Sequence, residues 1–306
     1  MRSSTWLDPV FRGVTAFFAA LVLLFVAALG VVLWQKGHLA LTTFGPSFLW
    51  SQQWDPVRGL FGALPSIYGT LVSSAIAIAI ATPVGLGVAV FLVEMAPPWL
   101  AKPVGLAIEM LAAIPSIIYG MWGLFVFAPF LSAHVLPAVK KVAGGSFLFA
   151  GPPMGIGMLP AALILAVMIL PFIASIGRDV FALVPNVDKE SAYGLGATTW
   201  EVVRSVVIPH TRTGLIGAIF LALGRALGET MAVTFVIGNA HKISASLLAP
   251  GSTIASTLAN EFSEAVSEIH IASLIELGFI LFIITTIILA LAKLLLWRIE
   301  SRIKGR

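Results

Sequence analysis

Cysteine is absent from this 306-residue chain, which removes disulfide frameworks, thiolate metal sites and cysteine nucleophiles. Charge is scarce as well. Asp, Glu, Lys and Arg make up 10% of the residues, against about 25% in an ordinary soluble domain. With a hydrophobic share of 59%, so few charges leave too much apolar surface for a fold in water to cover. No Gly-x4-Gly-Lys-Ser/Thr loop occurs, so the chain has no phosphate cradle for ATP. The five histidines lack paired metal-ligand spacing, and neither a metal nor another cofactor is expected. A basic patch with interleaved aromatics is missing, which argues against nucleic acid. There is no internal repeat, and hence no inverted-repeat signature of the kind many secondary transporters carry.

Long apolar runs are what the chain does have. A bilayer core needs about 20 apolar residues per helix. Six stretches qualify: roughly 14–34, 66–94, 104–132, 156–177, 214–238 and 271–297. They predict an all-α polytopic membrane protein with six transmembrane helices. The first run exceeds the usual signal-peptide core of about 7–15 residues and no clear cleavage site follows, so it reads as an uncleaved span. Residues 1–65 then form a first helix and an outer loop, whose Trp50 and Trp54 suit a lipid interface. Residues 66–306 form a core of five helices that includes a cytoplasmic loop at 178–213. With the N-terminus inside, twelve Lys and Arg, Arg2 and Arg306 among them, lie on the inner side and five on the outer. That bias predicts both termini in the cytoplasm.

The loop 178–213 is the least hydrophobic inner segment. It reads Glu190-Ser191-Ala192, three residues, Gly196, nine residues, then Val206-Val207-Ile208-Pro209. Asp188 is expected to cap a short helix over 189–195, and Gly196 to allow a sharp turn. A second short helix carries Trp200 and Val203, and Pro209 is expected to end it. Such a hairpin is too polar for lipid and too apolar for a tether. It should lie on the membrane face and bind a partner.

This pattern resembles the Glu-Ala-Ala, x3, Gly, x9, Ile-x-Leu-Pro motif of permease subunits of ATP-binding-cassette importers. Glu190, Ala192, Gly196 and Pro209 match at the family's spacing, with small changes at Ser191, Val206 and Ile208. The segments Glu109–Gly123, Leu223–Thr234 and Ser246–Ala255 look like the PstC-type permeases of phosphate importers. The sister PstA type shares the general plan, but the wording Arg225-Ala-Leu-Gly-Glu-Thr-Met-Ala and the first outer loop favour PstC. The resemblance implies a type I importer permease fold in the inner membrane and transport of phosphate by alternating access. It implies that Glu190, Ala192, Gly196 and Pro209 couple the chain to an ATPase. It implies as partners a PstA-type permease, two copies of a cytoplasmic ATPase and an extracytoplasmic phosphate-binding protein. The chain itself would not be an enzyme. Phosphonate, sulfate and molybdate stand as alternative substrates. A secondary transporter would have no need of the 190–209 motif. An intramembrane hydrolase would need a base near Ser73, Ser74 or Ser116, and no span places a histidine comparably.

Arg225 falls near the middle of the fifth stretch, where a charge costs about 2.5–3.5 kcal/mol on insertion scales. Glu229, four residues on, is expected one turn away on the same helix face. Gly224 and Gly228 are expected to admit a neighbouring helix. The two charges are either a packing pair or part of an anion pathway in which Glu229 holds or releases Arg225. The resemblance supports the second reading, and a planar guanidinium fork suits an oxyanion. Glu109 and Glu276 lie near span ends, where snorkelling or local pairing is expected. Glu94 is a boundary residue with no role assigned. Glu261, Glu264 and Glu268 are expected to form the wet face of a short helix in the last outer loop, or to meet a binding protein.

Overall fold

The computed structural model describes residues 7–143 and 146–304; Arg2 and Arg306, used in the charge count, lie outside the described residues. Helix accounts for nearly all regular structure among them, the one β-bridge being the tight turn that pairs Asp55 with Leu60. Helix α1 spans Leu7–Phe44 and α2 spans Leu64–Val90, followed by a π-helical turn at Phe91–Met95. Next come α3 (Pro98–Ala112), α4 (Ser116–Trp122), α5 (Ala128–Phe130) and α6 (Leu136–Ala143), the last three joined by π-helical turns into one rod. Then follow α7 (Met158–Ala182), α8 (Asn186–Gly194), α9 (Thr199–Val202) and α10 (Ile208–Leu227). The chain closes with α11 (Met231–Thr234), α12 (Ile254–Glu261) and α13 (Glu268–Lys304).

Six helical stretches are long and apolar enough to cross a membrane. Two differ from the sequence expectation in an instructive way. The third stretch does not run 104–132. It breaks at 113–115, because Pro115 lacks an N–H and pushes the residue before it away from helix. The rod that spans is Ser116–Val142, and α3 is a separate helix ahead of it. The fifth does not run 214–238. It starts earlier, at Thr199, and stops at Leu227. Hydropathy misleads after 227 because Ala232, Val233, Val236 and Ile237 are buried in protein rather than in lipid. The outer loop expected over 35–65 is also shorter, since α1 continues to Phe44.

Helix α7 is the axis. Ala161, Ile164, Leu165, Met168, Ile169 and Ile173 are all essentially inaccessible and form one broad buried face, while Val167 on the other side is 42% exposed. It lies against α2, where Gly85 lets the backbones close up: a Cβ there would sit 3.0 Å from Ile173. Helix α1 packs along α13 and otherwise exposes a continuous apolar surface. The irregular segment 236–253 lies over the start of α7. The free N–H groups of Gly157, Met158 and Leu159 donate to carbonyls of Val236, Ala249 and Leu247 at 2.9, 3.1 and 2.7 Å. Non-helical backbone at such depth is tolerated because protein, not lipid, surrounds it.

Candidate functional site

The hairpin between α7 and α10 is built on backbone chemistry. Helix α8 starts behind Pro185, not behind an Asp188 cap; Asp188 sits inside the first turn, where its charge suits the helix N-terminus. At the other end, Ala197 N–H donates to Ala192 O at 3.1 Å and Gly196 N–H to Tyr193 O at 2.9 Å. These are the paired bonds of a Schellman ending, which requires a left-handed residue at Gly196. Its φ is +87°, and a Cβ there would meet no atom within 4 Å. Glycine is therefore needed for its backbone, not for space. Thr198 then opens the next helix through a capping box with Glu201, a Thr-x-x-Glu signature readable in the sequence.

Pro209 does not end that helix. The π-helical turn Val203–Val207 precedes it, and its wider hydrogen-bonding ring accommodates a residue with no N–H. From Thr199 to Leu227 the chain is one 29-residue helical run. Val202 and Val207 bury one side of the hairpin against Phe181 and Val184, and the half-buried Ala192 packs into the same cluster. The opposite side is bare. Glu190 and Pro209 are exposed. Leu195 is 90% and Trp200 66% accessible, on either side of Gly196.

The far end of the same run carries Arg225, in the last turn of α10 rather than mid-helix. Its guanidinium carbon lies 4.3 Å from the centre of the Phe172 ring on α7, a cation–π contact between residues 53 positions apart that no local spacing announces. Its Nε is buried without a hydrogen-bond partner. Glu229 is not on the same helix face, because α10 has already ended at Gly228. The Glu229 carboxylate instead accepts from Ala232 N–H at 3.2 Å, at the start of α11. No ion pair within 4.0 Å joins Arg225 to Glu229 among the described residues. Nor are Gly224 and Gly228 close approaches within this chain: a Cβ on either meets its nearest atom at 3.7 Å.

Of the other acidic residues, Glu109 follows expectation while Glu276 and Glu261 depart from it. Glu109 pairs with Arg178 at 2.5 Å, as local pairing predicts. Glu276 does not snorkel; it is 2% exposed, with Oε2 unpaired against Gly37. Glu261 turns inward instead of forming a wet face. It accepts from Trp54 Nε1 at 2.8 Å, and bonds His241 Nε2 and His270 Nε2 at 2.9 Å each. Burial pushes the Glu261 carboxyl up, but the bonds from His241, Trp54 and His270 outweigh it and hold the carboxyl below its ordinary range. The knot ties four segments together at the end of the bundle opposite the hairpin. No sequence spacing announces it, because its members are up to 207 positions apart.

Residues 81–304 match the family described as binding-protein-dependent transport system inner membrane component. Over 299 residues the chain is 58% identical to the phosphate transport system permease protein PstC of Mesorhizobium japonicum, covering 96% of this chain and 91% of that one. The protein of the same name from Pasteurella multocida is 54% identical over 304 residues, with 98% and 94% covered. Among solved structures, an inward-facing MetNI methionine ABC transporter chain superposes with a TM-score of 0.58 at 18% identity, covering 80% of this chain and 99% of that one. A chain of a bacterial ABC transporter that imports alginate gives 0.53 at 16%, covering 95% and 99%. At such identities these structures speak for the fold alone: that of ABC importer permeases.

Proposed function

We propose a mechanism that proceeds from one premise: the chain belongs to the family of binding-protein-dependent transport system inner membrane components, and it is a permease subunit of an ABC importer of phosphate. The bare side of the hairpin, with Gly196 at its tip and Leu195 and Trp200 beside it, is the seat of a cytoplasmic ATPase subunit. Glu190, Ala192, Gly196 and Pro209 keep that hairpin in shape and in register. This puts the hairpin, and with it both termini, on the cytoplasmic side. A second permease of the PstA type lines the other half of the pathway, two ATPase copies drive the pair, and a phosphate-binding protein delivers substrate at the Glu261 end.

The observation that carries the mechanism is the unbroken helix from Thr199 to Leu227. ATP-driven closure of the ATPase dimer displaces the hairpin, and a continuous helix delivers that displacement to its other end. Arg225 stands there with a permanent positive charge and one unsatisfied N–H. A guanidinium in a low-dielectric setting attracts an oxyanion far more strongly than it would in water, and its planar fork suits two phosphate oxygens. Glu229 anchors the segment just past the helix end. The chain so arranged moves phosphate and catalyses no bond change itself.

The test is reconstitution of the chain with its PstA-type partner, the ATPase and the binding protein in lipid vesicles. Phosphate should enter only with ATP hydrolysis. Uptake that persists without ATP, or sulfate entering as fast as phosphate, would overturn the reading.

A further inference from the structure

The coupling hairpin is continuous with α7 and α10, but not with α2. A contact between residues 95 positions apart bridges that gap. Lys189 Nζ in α8 lies 2.6 Å from Glu94 Oε1, in the π-helical turn that ends α2. The two side chains are only 12% and 6% exposed. At the same end of the bundle, the Arg178–Glu109 pair links α7 to α3, is far more accessible, and does not touch the hairpin.

The surroundings of the pair are apolar. Val90 of α2 and Val93 of the π-helical turn after it share a packed cluster with Ala192 and Ala197 of the hairpin. Apolar contact of this kind is non-directional, so one surface can slide over the other at little cost. A shielded ion pair behaves differently. Sliding by a residue would leave two charges buried and unpaired, which is strongly unfavourable. The pair therefore fixes the register that the apolar contact leaves loose.

We propose that Glu94 and Lys189 are positioning residues for transport: a strut that makes α2 follow the coupling hairpin, so that α2 and α10 move together when the ATPase closes. The proposal rests on the hairpin being the ATPase seat. Without the strut, hydrolysis would still displace the hairpin and α10, while α2 lagged and the pathway opened incompletely. The signature is wasted ATP, not a missing complex.

The experiment uses the full reconstituted complex and reads ATP hydrolysed per phosphate imported. Glu94→Leu with Lys189→Met removes both charges and leaves neither buried alone. This double variant should assemble and hydrolyse ATP, with the ratio raised at least about fivefold, the lower end of ordinary coupling energies. Glu94→Lys with Lys189→Glu should bring the ratio back towards wild type, which a purely structural role does not require. Glu94→Asp shortens the reach by one methylene and keeps the charge; its ratio should lie between. An unchanged ratio in the assembled apolar double variant overturns the strut. If that variant fails to assemble, an unchanged ratio in Glu94→Asp does so. A wild-type complex whose hydrolysis is unrelated to uptake would instead overturn the coupling reading itself.

Discussion

Gly196 and Arg225 stand at opposite ends of one stiff element. The left-handed turn at Gly196 hands the chain to Thr198, and the 29 residues from Thr199 to Leu227 then stay helical. At about 1.5 Å per residue that run is about 43 Å long, enough to cross a bilayer core of about 30 Å with a turn or two to spare. Beyond the π-helical turn at Val203–Val207 and Pro209, the run has no break in which a displacement would dissipate before it reaches the arginine.

Replacing Gly196 by valine should separate folding from coupling. No atom lies within 4 Å of a Cβ there, so the substitution meets no clash. A β-branched residue forced to φ near +87° is strained by about 1–2 kcal/mol, enough to reshape the turn. Membrane levels should be normal, while ATPase capture and phosphate uptake fall together. Normal uptake alongside normal ATPase pull-down would remove Gly196 from the coupling surface.

A hinge placed in the lever should act at a distance. Ile219 and Phe220 lie between hairpin and arginine on α10. Changing both to glycine weakens the helix by about 1 kcal/mol per position. ATPase capture should survive, because the hairpin is untouched, and uptake per ATP should drop. Wild-type efficiency in this variant would mean that the helix does not carry the motion.

The hairpin and the spans were legible in the sequence for physical reasons. Gly196 and the capping-box residues act through local backbone geometry, and a bilayer demands long uniform apolar runs. What was not legible was distant in sequence. Phe172 beneath Arg225, Lys189 against Glu94 and the three donors around Glu261 meet only once the helices pack. Pro209 misled because a π-helical turn can absorb a proline that an ordinary helix cannot. Glu229 misled because residues four apart share a face only while the helix continues, and here it stops at Gly228.

Acid should loosen the Glu261 end first. Its carboxyl is held below the ordinary glutamate range in the folded protein. The stabilisation is therefore complete above the unfolded value of about 4.3 and is lost as pH falls through the folded value. Glu261→Gln keeps one acceptor but loses the charge-assisted bonds, at a cost of about 1–3 kcal/mol near neutrality. Thermal melting of the assembled complex should show a lower Tm at pH 7 and a shallower loss between pH 5 and pH 3 than in wild type. An identical acid dependence in the two proteins would show that Glu261 is not the group responsible.

The sharpest test concerns Arg225 and Glu229, whose relationship in the structure changes what their variants mean. They are not an ion pair, so Glu229→Gln strands no partner; its remaining side-chain oxygen can still accept from Ala232 N–H, and uptake should be mildly affected. Arg225→Gln removes the positive group at the lever's end and should leave assembly intact while abolishing phosphate uptake. If the two residues served only to neutralise each other, the double variant Arg225→Gln with Glu229→Gln would transport better than Arg225→Gln alone, since buried matched pairs are often replaceable at little cost. The expected result is the opposite: the double variant, assembled in normal amount, is as inactive as the single. Arg225→Lys refines the point. It keeps the charge but loses both the fork and the guanidinium contact over Phe172, a contact worth about 0.5–2 kcal/mol. Partial uptake by the lysine variant would mean that charge alone attracts phosphate, and none would mean that the planar geometry is required. Near-normal uptake by the assembled double variant would return both residues to a structural role.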